Sequence, residues 1–151
     1  MSDLIWHIKP FNALEIRTLY DILQLRSQIF VVEQNCVYQD LDGKDLKCDH
    51  LYAYDNNELV AYCRLVHPNV SYPDRYSIGR VVVNENYRGR ELAKQMMLKA
   101  IQYFEHKEHR IIAISAQAYL IPFYTNLGFI AIGKPYLEDN IPHIYMEYIK
   151  L

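Results

Sequence analysis

The segment Val81-Val82-Val83-Asn84-Glu85-Asn86-Tyr87-Arg88-Gly89-Arg90-Glu91-Leu92-Ala93 constrains this chain more than any other. Three consecutive valines read as a buried strand. A short basic loop follows, and then Leu92, Ala93, Met96, Met97, Ala100, Ile101 and Phe104 recur at helical spacing. Lys94, Gln95, Lys99 and Gln102 fall on the opposite face, so residues 88–107 read as an amphipathic helix. A strand entering a helix through so tight a loop aims backbone N–H groups and a helix N-terminus at one point. A pyrophosphate fits such a point. Taken on the residues alone, a plain core strand and a solvated helix start compete with that reading.

Length and charge narrow the setting. A chain of 151 residues reads as one domain, residues 1–151, with room for a substantial core. The net charge of −2 argues against nucleic-acid binding by bulk charge. The cysteines Cys36, Cys48 and Cys63 are odd in number and form no C-x-x-C pair, so a reducing, cytoplasmic setting is expected. No apolar run reaches membrane-spanning length and no signal-peptide pattern opens the chain. The Tyr count of 14 is high, and Tyr suits half-buried strands and the walls of wet clefts.

Along the chain, residues 4–8 read as a first strand. Asn12 reads as the N-cap of a helix reaching about Phe30, with Glu15 completing a capping box. Its apolar face includes the stem of Arg26. Residues 31–49 lack a period and read as a long structured loop. Strands at 50–55 and 58–66 join through Asn56-Asn57. A strand at 75–83 carries Gly79, which suggests a bulge. A strand at 110–115, a short helix at 120–127 ending at Gly128, and strands at 129–133 and 144–150 complete the order. This is α/β, a mixed sheet with helices packed on its faces.

The Tyr87-Arg88-Gly89 loop after a Val-rich strand, with Phe123-Tyr124-x-x-x-Gly128-Phe129 downstream, resembles the GNAT superfamily of acetyl-CoA-dependent N-acetyltransferases. The stretches Phe30-Val31-Val32-Glu33-Gln34, Cys36-Val37-Tyr38, Asp40-Leu41-Asp42-Gly43-Lys44-Asp45, Ile78-Gly79-Arg80-Val81, Ala116-Gln117-Ala118 and Glu138-Asp139-Asn140-Ile141-Pro142-His143 resemble the ElaA-like subgroup. The resemblance covers nearly the whole chain in element order. It implies the GNAT fold: a central, mostly antiparallel twisted sheet with splayed parallel strands. The loop departs from the superfamily pattern Q/R-x-x-G-x-G/A, because Asn86 takes the first place and Glu91 stands where a small residue is usual. A carboxylate there should repel a pyrophosphate unless it turns to solvent. An acid in the first turn of a helix is otherwise favoured, so Glu91 is expected as an outward-facing cap.

The resemblance implies acetyl-CoA as cosubstrate, no metal, and direct attack by a primary amine within a ternary complex. It implies that the backbone of Val81, Val82 and Val83 pairs with the pantetheine arm, and that a backbone N–H near Val83 meets the oxyanion. The amides of Arg88, Gly89, Arg90, Glu91, Leu92 and Ala93 would hold the pyrophosphate, with charge added by Arg88, Arg90 and Lys94. Gln117 falls where a polar side chain faces the cofactor. Tyr124 resembles the tyrosine that protonates the departing thiolate, against the alternative of an aromatic plug.

The acceptor amine must lose a proton. With a Lys-like pKa near 10.4, about 1 in 2,500 molecules is neutral at pH 7, a cost of roughly 4.6 kcal/mol. Candidate bases are Glu33, His50 and His143, with a water chain as the alternative. Glu138 and Asp139, with Asp40, Asp42 and Asp45, would give the acceptor side a negative field suited to a cation. Solvated loop acids are the competing reading. The aspartate run is no EF-hand loop, since its Gly stands fourth and not sixth. Cys48-Asp49-His50 with Cys36 lacks paired zinc-ligand spacing. Two readings compete with an enzyme: a non-catalytic CoA-binding regulatory module and a protein-interaction module on the same fold. A homodimer is compatible with the resemblance, although no residue specifies one.

Overall fold

Two consecutive strands buried on both faces set the architecture. The computed structural model of the protein describes residues 4–151. Strands β2 (Cys48–Asp55) and β3 (Glu58–Val66) form a hairpin through Asn56, whose φ of 55° suits an asparagine. Leu51, Ala53, Ala61, Cys63 and Leu65 point to one face, while Tyr52, Leu59 and Tyr62 point to the other. Each face must be covered, and helices of matching pattern cover them. Helix α1 (Ile16–Arg26) lays Ile22 and Leu25 on the Tyr52–Tyr62 face. Helix α2 (Leu92–Glu105) lays Leu92, Met96, Met97, Ala100 and Phe104 on the other, as its spacing predicts.

The remaining strands are β1 (Ile5–Pro10), β4 (Tyr76–Val83), β5 (Ile111–Gln117), β6 (Ile130–Ala131), β7 (Tyr136–Glu138) and β8 (Ile141–Ile149). They give an eight-stranded sheet in the order β1-β2-β3-β4-β5-β8-β6, with β7 also on β8. Every pairing is antiparallel except β4 with β5. That parallel pair is joined only at Tyr76–Ile112 and Ser77–Ala113. Beyond Ser77 the two strands part and leave a cleft between them. The mixed sheet, the splayed parallel strands and the helices on both faces match the expected GNAT fold.

A bulge shapes the free half of β4. Arg64 faces Gly79 but Tyr62 faces Val82, so Cys63 opposes an extra residue. The residue in the left-handed region is Arg80, at φ 50°, one place after the glycine that signalled a bulge.

Several element ends differ from expectation. Asn12 is not an N-cap: Phe11–Ala13 forms a 3-10 turn, and α1 starts after Glu15, which makes no side-chain cap bond. The first helix does not end near Phe30. It widens into a π segment, Ser27–Glu33, with Gln34 N–H donating to the Ile29 carbonyl at 3.1 Å. Helix α2 starts four residues later than its pattern suggested, because Gly89 and Glu91 both have positive φ and cannot be helical. Strand β7 was absent from the sequence reading altogether.

Candidate active site

The cleft between the free half of β4 and β5 holds a cavity of about 370 Å³. Gly79, Arg80, Val81, Val82 and Val83 line one side; Ile114, Ser115 and Gln117 line the other. Because β5 has left β4 there, β4 backbone groups on the cleft side have no strand partner. An extended ligand with amide groups can add to that edge as a further strand would.

Tyr124 closes the inner end. It lies on α3 (Ile121–Asn126), a helix too short to be stable alone. Phe129 N–H donates to the Tyr124 carbonyl at 3.1 Å and Gly128 N–H to the Thr125 carbonyl at 3.0 Å, so the helix end is capped through Gly128 at φ 106°. A β-carbon on Gly128 would sit 3.0 Å from the Tyr148 ring, so space as well as φ demands glycine. The Tyr124 ring is wedged edge-on against Phe123 and Phe129 and is 6 % exposed. Its hydroxyl has no hydrogen-bond partner among the described residues. Burial raises its pKa, so the phenol keeps its proton until a stronger base arrives.

At the outer end Arg88 lines the cavity, followed by Gly89 at φ 79° and the start of α2. Arg88 Nη2 donates to Glu33 Oε2 at 2.8 Å across the cleft mouth. Glu91 is exposed, holds φ 59° at the N-cap position of α2, and makes no side-chain cap bond. The carboxylate thus turns outward, but it caps nothing. The usual small residue at this place has a backbone reason: the position is left-handed, where a side chain costs roughly 1–2 kcal/mol. Arg90, Leu92, Ala93 and Lys94 lie outside the cavity wall, around the helix start.

The far wall comes from the hairpin of β7 and β8. Asp139 and Asn140 both have positive φ, the signature of a two-residue type I′ turn. The turn places Glu138 beside His143: His143 Nε2 lies 3.4 Å from Glu138 Oε2. His143 Nδ1 donates to the Ile141 carbonyl at 2.6 Å, and its ring stacks on Tyr136. Ser115 bonds the Tyr136 hydroxyl and donates to Glu138 at 3.4 Å. Cys36 Sγ donates to the Asp139 carbonyl at 3.3 Å, and Gln117 donates to Gln34 at 3.3 Å. The structure therefore gathers Glu33, Gln117, Tyr124, Glu138, Asp139 and His143 around one cavity.

His50 does not join them. It is 1 % exposed and sits outside the cavity wall. Its Nε2 donates to the Asp45 carbonyl at 3.0 Å, which leaves Nδ1 to accept the Tyr62 hydroxyl at 2.7 Å. Both ring nitrogens are occupied, so it has no lone pair for an amine, and burial lowers its pKa. The aspartate run also has another role. Asp45 receives Arg26 at 2.8 Å and Arg64 at 3.1 Å; Asp42 holds Arg64 at 2.9 and 2.8 Å. Asp40 holds Arg26 at 2.9 Å and lies 2.8 Å from Arg80 Nε, although that N–H is not aimed at it. Burial raises the Asp42 and Asp45 pKa values, but the arginines outweigh it and hold both low. Arg26 is buried to its head, not by its stem alone. These acids are neutralised within the fold and give no field to the acceptor side.

Residues 25–150 match the acetyltransferase (GNAT) domain model. The chain belongs to the GNAT family. It is 42% identical over 144 residues to Protein ElaA of Escherichia coli, spanning 93% of this chain and 94% of that protein. It is likewise 42% identical over 150 residues to a UPF0039 protein of Schizosaccharomyces pombe, spanning 97% and 98%. Among solved structures, an acyl-CoA N-acyltransferase from Pseudomonas aeruginosa superposes with a TM-score of 0.90 at 42% identity, over 97% of this chain and 99% of that one.

GNAT membership supports acyl-CoA-dependent N-acyltransferase chemistry, with acyl-CoA as cosubstrate. The cleft suits that group on its own evidence. It offers an unpaired strand edge, a buried phenol with no partner among the described residues, and an arginine-bearing loop before a helix start. The sequence reading missed Ser115 and Tyr38 as wall residues, and Tyr136, whose hydroxyl bonds Ser115 from behind the wall. The Asp139-Asn140 pair was the available signal for the hairpin, since both residues tolerate positive φ.

Proposed function

We propose that the protein is an acetyl-CoA-dependent N-acetyltransferase that acts on a cationic primary amine by direct attack. The observation that carries this reading is the cavity itself, with the Tyr124 hydroxyl unpartnered at its inner end and carboxylates on its outer wall. The backbone of Val81, Val82 and Val83 pairs with the pantetheine arm. The amides of Arg88 to Ala93 take the pyrophosphate, with charge added by Arg88, Arg90 and Lys94, and Gln117 faces the cosubstrate. Glu33, Glu138 and Asp139 attract the ammonium.

The amine nitrogen adds to the acyl carbon, and the carbon–sulfur bond breaks. Tyr124 gives its proton to the leaving sulfur and recovers one from the nitrogen that becomes the amide. Burial that raises the Tyr124 pKa raises the basicity of a thiolate beside it as well, so transfer between them stays feasible. No helix of the described residues is long and apolar enough to cross a membrane, and the reaction as proposed is cytoplasmic.

Thiol release from acetyl-CoA and longer acyl-CoA esters, across mono- and polyamines, tests the reading. Tyr124→Phe should lower kcat about 100-fold and leave acetyl-CoA affinity within about threefold. Unchanged turnover removes Tyr124 from the mechanism. Saturable acetyl-CoA binding with no turnover of any amine would favour the non-catalytic CoA-binding module.

A further inference from the structure

We infer that His143, not Glu33, is the general base that deprotonates the acceptor, with Glu138 as its carboxylate partner. This rests on the acetyltransferase reading of the same cleft. The tautomer decides it. A carbonyl oxygen can only accept, so the 2.6 Å bond to Ile141 places the neutral ring's hydrogen on Nδ1. Nε2 then carries the lone pair, and His143 lines the cavity. The bond to Ile141 and the stacked Tyr136 fix the ring plane, so the lone pair keeps its aim.

Glu138 Oε2 lies 3.4 Å from Nε2 and its side chain is 49% exposed. An ammonium between them can donate to both: Glu138 attracts the charge and Nε2 takes the proton. The proton then passes to Glu138 and out to water, and the neutral amine is left to attack. One further proton leaves the nitrogen as the amide forms, and it replaces the one that Tyr124 gives to sulfur. The sum is one ammonium proton to solvent and one to the thiol.

The other candidates are differently engaged. Glu33 is held by Arg88 at the mouth, and His50 has both nitrogens occupied. The charged and titratable groups around His143 are Glu138 and Tyr136 on β7 and, from the rest of the cavity wall, Asp139, Cys36, Tyr38, Glu33, Arg80, Arg88, Tyr119 and Tyr124. Its β5 neighbour, Gln117, is neutral.

The test is the pH profile of kcat/KM for an amine the wild type turns over, with thermal stabilisation by acetyl-CoA as control. His143→Asn keeps a donor for the Ile141 carbonyl and removes the proton acceptor. It should lower kcat/KM 100- to 10,000-fold at neutral pH and abolish the ascending limb, with the acetyl-CoA stabilisation retained. Glu33→Gln should keep the limb, and Glu138→Gln should move it. His143→Gln, which keeps an amide at the Nε2 place, should lose the limb as well. His143→Asn at wild-type turnover with the limb intact overturns the assignment alone, as does loss of the limb in Glu33→Gln. A wild type with no turnover of any amine overturns the acetyltransferase reading and the assignment with it.

Discussion

The two halves of the cleft are built by different means. The half proposed for the cosubstrate is one contiguous stretch, the free edge of β4 running through the loop into α2, and the groups it would use are mostly backbone. The half proposed for the acceptor is gathered from the π segment, the loop of residues 34–47, β5 and the β7–β8 hairpin, and the groups it would use are side chains. Backbone geometry tolerates exchange of most side chains along it. A wall of side chains on a loop needs something to hold the loop. Here that is the partly buried network of Arg26, Arg64 and Arg80 with Asp40, Asp42 and Asp45, which binds the loop to α1, β3 and the β4 bulge.

Breaking that network should give the largest effect. Asp45→Ala leaves the fully buried Arg26 with one partner fewer and strips Arg64 of a second. Removal of one member of a buried ion pair costs about 3–5 kcal/mol. Urea unfolding should show that loss, and limited proteolysis should cut first within residues 36–47. A loss under about 1 kcal/mol would mean that the loop is held by packing, and the contrast between the halves would fall.

That contrast also governs what could be read from the chain. The strand, turn and helix of the first half were legible because they are adjacent, whereas their assignment to a pyrophosphate came from the resemblance and not from spacing. Even there the start of α2 was misplaced, since φ at Glu91 is not a property of periodicity. In the acceptor half, Arg26 meets Asp45 across 19 positions and Cys36 meets Asp139 across 103. No local pattern encodes such pairings. Asp40, Asp42 and Asp45 looked like solvated or substrate-facing acids because their arginines lie on other elements. Of the acids expected to face the acceptor, Glu138 and Asp139 line the cavity, whereas Asp40, Asp42 and Asp45 do not.

His50 supplies a second, smaller effect, because it is the buried hinge between the network and the sheet. Its folded pKa lies below the ordinary imidazole value, so in acid the unfolded chain binds a proton that the native state refuses. Stability is therefore whole above about pH 6.5 and falls as pH drops through that value, by at most about 1.4 kcal/mol per pH unit. The depressed Asp42 and Asp45 add a further loss only below their ordinary range, near pH 4. Denaturation midpoints between pH 5 and 7 should slope downward into acid for the wild type and flatten for His50→Gln. An equal slope in both would show that His50 does not titrate with unfolding.

The smallest effect probes the cosubstrate half at its one irregular side chain. Glu91 combines a left-handed backbone, costing roughly 1–2 kcal/mol, with a charge that favours the helix N-terminus by roughly 0.3–1 kcal/mol. Glu91→Gly removes both and should stabilise by about 0.5–1 kcal/mol, a rise of roughly 1–4 °C in Tm. Glu91→Gln keeps the strain and removes only the charge, so its Tm should fall slightly. If backbone alone decides cosubstrate binding, the two variants should bind acetyl-CoA with equal affinity, close to that of the wild type, whose carboxylate turns to solvent. Tighter binding in Glu91→Gly than in Glu91→Gln would instead show that the strained residue holds the loop short of its best phosphate geometry, and that this half too depends on a side chain.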